Sequence, residues 1–191
     1  MTLKRKLLLR LFGRPEGLLG RLGGLIMARM NRAAGEQVID LLEVRPGDRV
    51  LEIGFGPGVA IELLVARAPG GLIAGVDPSP EMLAQASVRN ATALRQGRLD
   101  LRGGRVDMLP FADATFDKAL AINSLQVWPD PAAGLREIRR VLTPAGRIAL
   151  GFTVNSGQPR EGLAATLAAA GFVEARIVER SKLFCAIATK P

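Results

Sequence analysis

The sequence contains no histidine and no tyrosine, and its only cysteine is Cys185. Without histidine there is no imidazole to act as a general base near neutral pH or to bind a metal, and without tyrosine there is no phenol acid. A single cysteine cannot form an intrachain disulfide and argues against structural zinc, so we expect a reducing, cytoplasmic setting. These absences predict a site with no metal, no histidine base and no tyrosine acid.

Long hydrophobic runs are also missing. No stretch approaches the roughly 18 consecutive apolar residues of a membrane span. In the first residues Arg10 interrupts the leucines, and no small-residue cleavage site follows them. We therefore expect neither an integral membrane protein nor a secretory signal. The 191 residues, 48% apolar and 23% charged, are typical of one globular domain with a hydrophobic core.

The excess of positive charge is confined to the start of the chain. The net charge is +8, and residues 1–32 hold eight of the 26 basic side chains but only one of the 18 acidic ones. The rest of the chain is close to neutral, which argues against a nucleic-acid-binding protein. We predict that residues 1–45 form a basic helical segment and that residues 46–191 form one globular domain.

The basic segment has two interpretations. The predicted helix Pro15–Asn31 has apolar residues on one side at helical spacing, so it should pack on another surface. The favoured interpretation is a lid over the ligand site with a solvated basic fringe. The alternative is peripheral contact of residues 1–32 with an anionic membrane, where the chain would meet a lipid or quinone.

From Val50 onward, short runs of Val, Ile and Leu alternate with helical stretches, which is typical of a parallel sheet with helices on both faces. The last two runs are separated by two residues and must be antiparallel neighbours. We predict an α/β fold with a Rossmann-like, seven-stranded, mostly parallel sheet and an antiparallel C-terminal strand pair. The predicted strands are Arg49–Ile53, Leu72–Asp77, Leu99–Gly103, Phe116–Asn123, Gly146–Phe152, Val173–Arg180 and Leu183–Thr189. The predicted helices are Pro15–Asn31, Ala33–Leu42, Gly58–Ala68, Pro80–Gln96, Asp130–Leu142 and Arg160–Ala170.

The strongest local signal is a strand that leads into three alternating glycines and then a helix. Gly54, Gly56 and Gly58 form G-x-G-x-G, which differs from the G-x-G-x-x-G of dinucleotide sites. Glycines let the backbone turn tightly and approach a ligand, and the helix N-terminus offers unpaired N–H groups. Glu52 precedes the turn, and its carboxylate suits the cationic sulfonium and ammonium of S-adenosylmethionine (SAM) better than phosphates.

A second buried strand ends in Asp77, about twenty residues after the glycines, where an acid can accept both hydrogen bonds of a ribose diol. Ser79 is the better N-cap of the next helix, which leaves Asp77 for a ligand. A dehydrogenase would place an acid similarly, so an NAD-dependent oxidoreductase is the rival function. The missing third-position glycine and the absence of a tyrosine for a proton relay count against it.

Linked motifs make the chain similar to a known family, the small SAM-dependent methyltransferases of the type 11 domain class. The resemblance runs from about Val50 to Ala149 and implies a class I methyltransferase with SAM as cofactor. The motifs are Glu52-Ile53-Gly54-Phe55-Gly56-Pro57-Gly58, then Gly75-Val76-Asp77 with Glu81-Met82-Leu83, then Val106-Asp107-Met108-Leu109-Pro110-Phe111, then Ala121 to Trp128 with Pro129-Asp130-Pro131, and last Leu135 to Gly146.

The resemblance implies roles for single residues. Asp77 would bind the ribose hydroxyls, and Met82 would pack beside the adenine, although methionine also fills gaps in ordinary helix packing. Asp107 would accept from the adenine amino group while the backbone of Met108 reads the ring edge; the alternative for Asp107 is a turn cap. The predicted cofactor-binding residues are Glu52, Gly54, Phe55, Gly56, Gly58, Asp77, Pro78, Met82, Asp107, Met108, Asn123 and Ser124.

The acceptor side departs from the family pattern. Many members carry a histidine after the fourth strand, where this chain has none, and we predict that Gln126 and Trp128 contact the acceptor. Gln126 can orient a substrate but cannot act as a base at neutral pH. No catalytic residue is assigned, because alignment with an activated methyl group supplies much of the rate.

The connection Thr153–Pro159 is too short to hold an inserted acceptor domain, so we predict a compact small-molecule acceptor. The membrane interpretation of residues 1–32 would make it lipid- or quinone-like. An RNA methyltransferase is a further alternative. The near-neutral body and the few aromatics available for base stacking argue against it.

Overall fold

A computed structural model describes residues 32–154, 156–180 and 183–191. One sheet runs through this part of the chain, with the strand order β3-β2-β1-β4-β5-β7-β6. The first five strands are parallel, and β7 is antiparallel to both of its neighbours. The predicted Rossmann-like sheet with an antiparallel C-terminal pair is therefore confirmed. The strands are Arg49–Ile53 (β1), Leu72–Asp77 (β2), Leu99–Gly103 (β3), Phe116–Ile122 (β4), Leu142–Thr153 (β5), Val173–Arg180 (β6) and Leu183–Thr189 (β7).

Helices cover both faces of the sheet, and none of the described ones is long and apolar enough to cross a membrane. The predicted helix Pro15–Asn31 and most of the basic segment lie outside the described residues. A short 3₁₀ turn, Leu125–Val127, follows β4. The helices are residues 32–41 (α1), Val59–Arg67 (α2), Pro80–Arg89 (α3), Ala91–Arg95 (α4), Pro131–Val141 (α5) and Leu163–Ala169 (α6).

Side chains that alternate along each strand divide the core into two clusters, one on each face. On β1, Val50 joins the cluster beneath α1 to α4, whereas Leu51 joins the cluster beneath α5 and α6. Both residues are fully buried. Each such side chain contributes about 1.5–3 kcal/mol through its removal from water. This burial on both faces explains why the central strands are continuous apolar runs.

The predicted helix Pro80–Gln96 is interrupted in the structure. Asn90 leaves helical geometry, with φ −109° and ψ 22°, and its side-chain Nδ2 donates to the carbonyls of Gly58, at 3.1 Å, and Ala86, at 3.0 Å. A Cβ on Gly58 would lie 2.7 Å from the Cβ of Ala86. The helix therefore breaks where α3 meets the glycine turn.

Helix α1 packs on one face of the sheet beside α2. Arg32, at its start, pairs with Glu62 near the beginning of α2, and the carbonyl of Leu41, at its end, accepts from Arg147 in the middle of β5. Between them, Val38 packs against Gly151, where a Cβ would lie 2.4 Å from Val38 Cγ2. Helix α1 therefore begins on the side of the carboxyl ends of the strands.

The strand order reverses between β1 and β4. Loops that leave these two strands depart toward opposite sides, which opens a crevice at their carboxyl ends. The glycine turn follows β1 on this edge, Asp77 ends β2 and Asn123 follows β4. Residues far apart in the sequence thus meet around one crevice.

Candidate functional site

The glycine turn is held in a conformation that side chains disfavour. Gly54, Gly56 and Gly58 have φ values of 71°, 54° and 78°. A Cβ on Gly54 would lie 2.4 Å from Ser124 Oγ, and Gly58 is closely packed against α3, whereas a Cβ on Gly56 would meet no atom within 4 Å. Gly54 and Gly58 are therefore required for packing. Gly56 exposes its main chain to open space, as an approaching ligand requires.

Glu52 lies beneath this turn and is only 2% exposed. Its Oε2 is buried and has no hydrogen-bond partner among the described residues. Burial, and then the negative charge of Asp77, raise the pKa of Glu52 well above its usual value. A buried carboxyl oxygen without a partner is costly, and a cationic ligand would remove that cost.

Asp77 is oriented by two main-chain donors. Its Oδ2 accepts from Gly56 N and its Oδ1 from Ser79 N, both at 2.9 Å. Burial raises the pKa of Asp77, and these two hydrogen bonds act in the opposite direction. Ser79 caps α3 as predicted, with Oγ accepting from Met82 N at 3.3 Å. Each carboxylate oxygen of Asp77 keeps a second acceptor position, as a ribose diol requires.

Asp107 lies in the loop between β3 and β4 as an ionised acceptor. Arg105 donates to both of its oxygens, at 2.9 Å and 2.6 Å, and these hydrogen bonds lower the pKa of Asp107. The side chain of Met108, the next residue, is 76% exposed. Met108 and, in part, Asp107 are therefore accessible to a ligand. Asp107, as a carboxylate, can only accept hydrogen bonds.

Some predicted side chains point into the core instead of the crevice. Phe55 packs against Gly75, where a Cβ would lie 2.6 Å from Phe55 Cδ1, and Met82 is 2% exposed within the same cluster. For Met82 the structure favours the ordinary packing alternative. Phe55 and Met82 can approach a ligand only through their main chains.

Trp128 also has a packing role that the sequence interpretation missed. Its indole is buried in the cluster beneath α5 and α6, and its Nε1 donates to Ser124 Oγ at 2.8 Å. The only polar atom of the indole is therefore already bonded inside the protein, which does not fit the predicted contact with an acceptor. Ser124 in turn supports the turn, because its Oγ abuts Gly54. Of the two predicted acceptor residues, only Gln126 is exposed.

The ends of β4 and β5 are tied together beside the crevice. Asn123 adopts φ 50°, and its Oδ1 accepts from Thr153 N at 2.9 Å and Thr153 Oγ1 at 3.2 Å. Two apolar side chains follow these strand ends, with Val127 48% and Val154 65% exposed. The sequence analysis did not identify Thr153 or Val154 as site residues. Their positions, at the end of a buried strand and directly after it, could have indicated them. Pro78, also predicted at the site, is exposed after β2.

The residues at this edge fit a cationic nucleoside. Gly56 leaves room for it, the unpaired Glu52 oxygen can balance positive charge, and Asp77 retains acceptors for a sugar. A phosphate would meet the carboxyl group of Glu52 directly beneath the turn, which is an unfavourable neighbour for it. The arrangement therefore fits SAM better than a dinucleotide.

Comparison with known proteins identifies the family and agrees with the fold. A family model described as a methyltransferase domain matches residues 51–150. The uncharacterized methyltransferase YdaC of Bacillus subtilis (strain 168) is 28% identical over 187 residues, covering 89% of this chain and 98% of that protein. A demethylmenaquinone methyltransferase of Corynebacterium kroppenstedtii is 38% identical over 107 residues, covering 56% of this chain and 42% of that protein. The crystal structure of a SAM-dependent methyltransferase from Aquifex aeolicus superposes with a TM-score of 0.74 at 21% identity, covering 84% of this chain and 93% of that one.

Proposed function

We propose that this chain, which belongs to the methyltransferase domain family and is a class I SAM-dependent methyltransferase, methylates a compact acceptor with an apolar body, of the lipid or quinone kind. The observation that carries the proposal is the pair of exposed valines, Val127 and Val154, at the carboxyl ends of β4 and β5. Exposed apolar side chains at the mouth of a crevice favour an apolar ligand. The demethylmenaquinone methyltransferase among the relatives acts, by its name, on such a molecule.

The cofactor supplies a methyl group that its sulfonium already activates. In the proposed arrangement Gly56 lets the main chain approach it, Glu52 balances its positive charge and Asp77 binds the ribose hydroxyls. Asp107 accepts from the adenine amino group, and the backbone of Met108 contacts the ring edge. These residues bind and orient, so the protein contributes mainly proximity and alignment.

The chemistry of the acceptor follows from the few groups that could act as a base near neutral pH. The chain has no histidine or tyrosine, and the amides of Asn123 and Gln126 do not titrate near neutral pH. We therefore expect an acceptor that is nucleophilic by itself, such as an electron-rich ring carbon of a reduced quinone, or one that loses its proton to water or to a carboxylate such as Glu52. The methyl–sulfur bond would break as the new bond to the acceptor forms, leaving SAH, and the acceptor proton would pass to water or to that carboxylate.

A tritiated-methyl transfer screen over reduced quinones, phenols, amines and lipids tests the proposal. We expect turnover with apolar quinols or phenols, and a KM raised severalfold by Val127→Asn with little change in kcat, since that variant removes uniform apolar binding. Val88→Asn, which changes an 80% exposed valine on α3, is the matched control and should leave KM unchanged. Turnover only with hydrophilic amines, or equal KM values for the two variants, would contradict the proposed acceptor class.

A further inference from the structure

The loop that joins β3 to β4, residues 104–115, exposes two residues between two buried ones. Val106 and Leu109 are 6% and 4% exposed, whereas between them the side chain of Asp107 is partly exposed and Met108 is 76% exposed. Val106 packs against α5, because a Cβ on Gly134 would lie 3.0 Å from Val106 Cγ1. Helix α5 therefore fixes the loop on the N-terminal side of the exposed pair.

The same helix fixes the loop on the other side through two charged residues. Leu109 N donates to Glu137 Oε2 at 3.0 Å, and Arg140 Nη2 donates to the Leu109 carbonyl at 3.0 Å. Arg140 Nη1 donates further to the Phe111 carbonyl at 2.8 Å and to Asp113 Oδ1 at 2.7 Å. We call Glu137 and Arg140 the loop clamp, since both form hydrogen bonds with main-chain atoms of the loop.

The two members of the clamp also lock each other. Arg140 Nε donates to Glu137 Oε1 and Nη2 to Oε2, both at 2.8 Å. These hydrogen bonds lower the pKa of Glu137, so it stays an acceptor for Leu109 N. A bidentate pair fixes orientation as well as charge.

We propose that the loop clamp, Glu137 and Arg140, positions Asp107 and Met108 for recognition of the adenine amino group. The clamp does not touch the cofactor, so its members are positioning residues, and the inference rests on the proposed adenine site. Leu109 is two residues after Asp107 and one after Met108, so a shift at Leu109 moves both. We therefore expect the clamp to affect the discrimination between purines, in addition to any contribution to folding.

The test compares two ligands of the full chain by calorimetry. One is S-adenosylhomocysteine (SAH), and the other is its hypoxanthine analogue, in which a carbonyl oxygen replaces the adenine amino group. The wild type should prefer SAH, because an ionised Asp107 accepts from the amino group and repels the carbonyl. Arg140→Gln should weaken SAH binding about tenfold, equal to ~1.4 kcal/mol, and weaken the analogue much less.

Arg139→Gln is the matched control. This neighbouring arginine on α5 donates to the Gly171 carbonyl at 2.9 Å, away from the loop, so its loss should leave the ligand preference unchanged. Glu137→Gln should act in the same direction as Arg140→Gln and replaces it if that variant does not fold. In an Asp107→Ala background, Arg140→Gln should have no further effect on the preference.

Equal weakening of both ligands by Arg140→Gln and Glu137→Gln, or no weakening of either, would overturn the role of the clamp. A wild-type protein that binds neither ligand would instead refute the cofactor site. The two failures are therefore distinguishable in one set of titrations.

Discussion

Among single residues, Gly56, the middle glycine of the turn, allows an effect on ligand binding to be distinguished from an effect on stability. Gly56→Ala places a Cβ in open space at φ 54°, so it should cost about 1–2 kcal/mol of stability through the left-handed backbone and abolish detectable SAH binding. Gly47→Ala is the control, because Gly47 has φ 86° and equally open surroundings in the turn before β1, on the side of the amino ends of the strands. It should show the same loss of Tm with normal SAH affinity. Normal SAH binding by Gly56→Ala would argue against this turn as the cofactor site.

The buried acid beneath the turn predicts an unusual pH dependence of stability. Because the pKa of Glu52 is raised in the folded protein, the folded state keeps a proton that the unfolded chain has lost. The stability that comes from protonated Glu52 is fully present below the pKa of the unfolded chain. It is lost as the pH rises through the pKa of the folded protein. Without ligand, Glu52→Gln should therefore melt above wild type at about pH 8, by ~2 °C or more, with the difference closing toward about pH 5.

Glu161→Gln, at an exposed position, is the control for that pH profile and should follow the wild type. The same Glu52→Gln variant should bind SAM more weakly, since it no longer balances the positive charge. A variant less stable than the wild type at both pH values would show that Glu52 already has a partner in the free protein.

The sequence could predict residues whose role depends on the local backbone. The N-cap at Ser79 and the left-handed glycines follow from short-range geometry, and the structure contains both. It could not predict where Phe55 and Trp128 point, because those orientations depend on distant partners, Gly75 and Gly134. A motif fixes residue types along the chain, whereas packing decides which face each side chain occupies.

Among the elements, the break between α3 and α4 illustrates the same limit. Residues 80–96 have helical periodicity throughout, and the break arises from the bond between Asn90 and the glycine turn. Asparagine competes for backbone hydrogen bonds and tolerates non-helical geometry, but one residue does not specify when it does so. The start of α6 at Leu163 instead of Arg160 has a comparable cause, since Gly162 adopts φ 79°.

Asn90→Ala tests the contact between these elements. The substitution removes donors to two buried carbonyls and should lower the free energy of unfolding by about 1–3 kcal/mol. Val88→Ala, at an 80% exposed position of the same helix, should change it by less than about 0.5 kcal/mol. Denaturant titration of both variants measures the difference, and equal effects would contradict an anchoring role for Asn90.

For the whole molecule, alternating apolar runs and helices were sufficient to predict the sheet. Parallel strands buried on both faces need helical crossovers, and the closely spaced last strands can pair only antiparallel, so composition and spacing determined the architecture. The strand order places the crevice at the switch between β1 and β4. The acceptor surface was less predictable, because the side-chain bond between Asn123 and Thr153 that joins the ends of β4 and β5 depends on residues 30 positions apart.

Calorimetric titration of the full chain with SAH and, in parallel, with NADH tests the central claim that this crevice holds a sulfonium nucleoside. The structure predicts one-to-one binding of SAH, since two acidic side chains and an open glycine converge there, and no binding of NADH, whose pyrophosphate would meet the carboxyl group of Glu52 beneath the turn. A heat of binding with NADH, or no heat of binding with SAH, would contradict that claim.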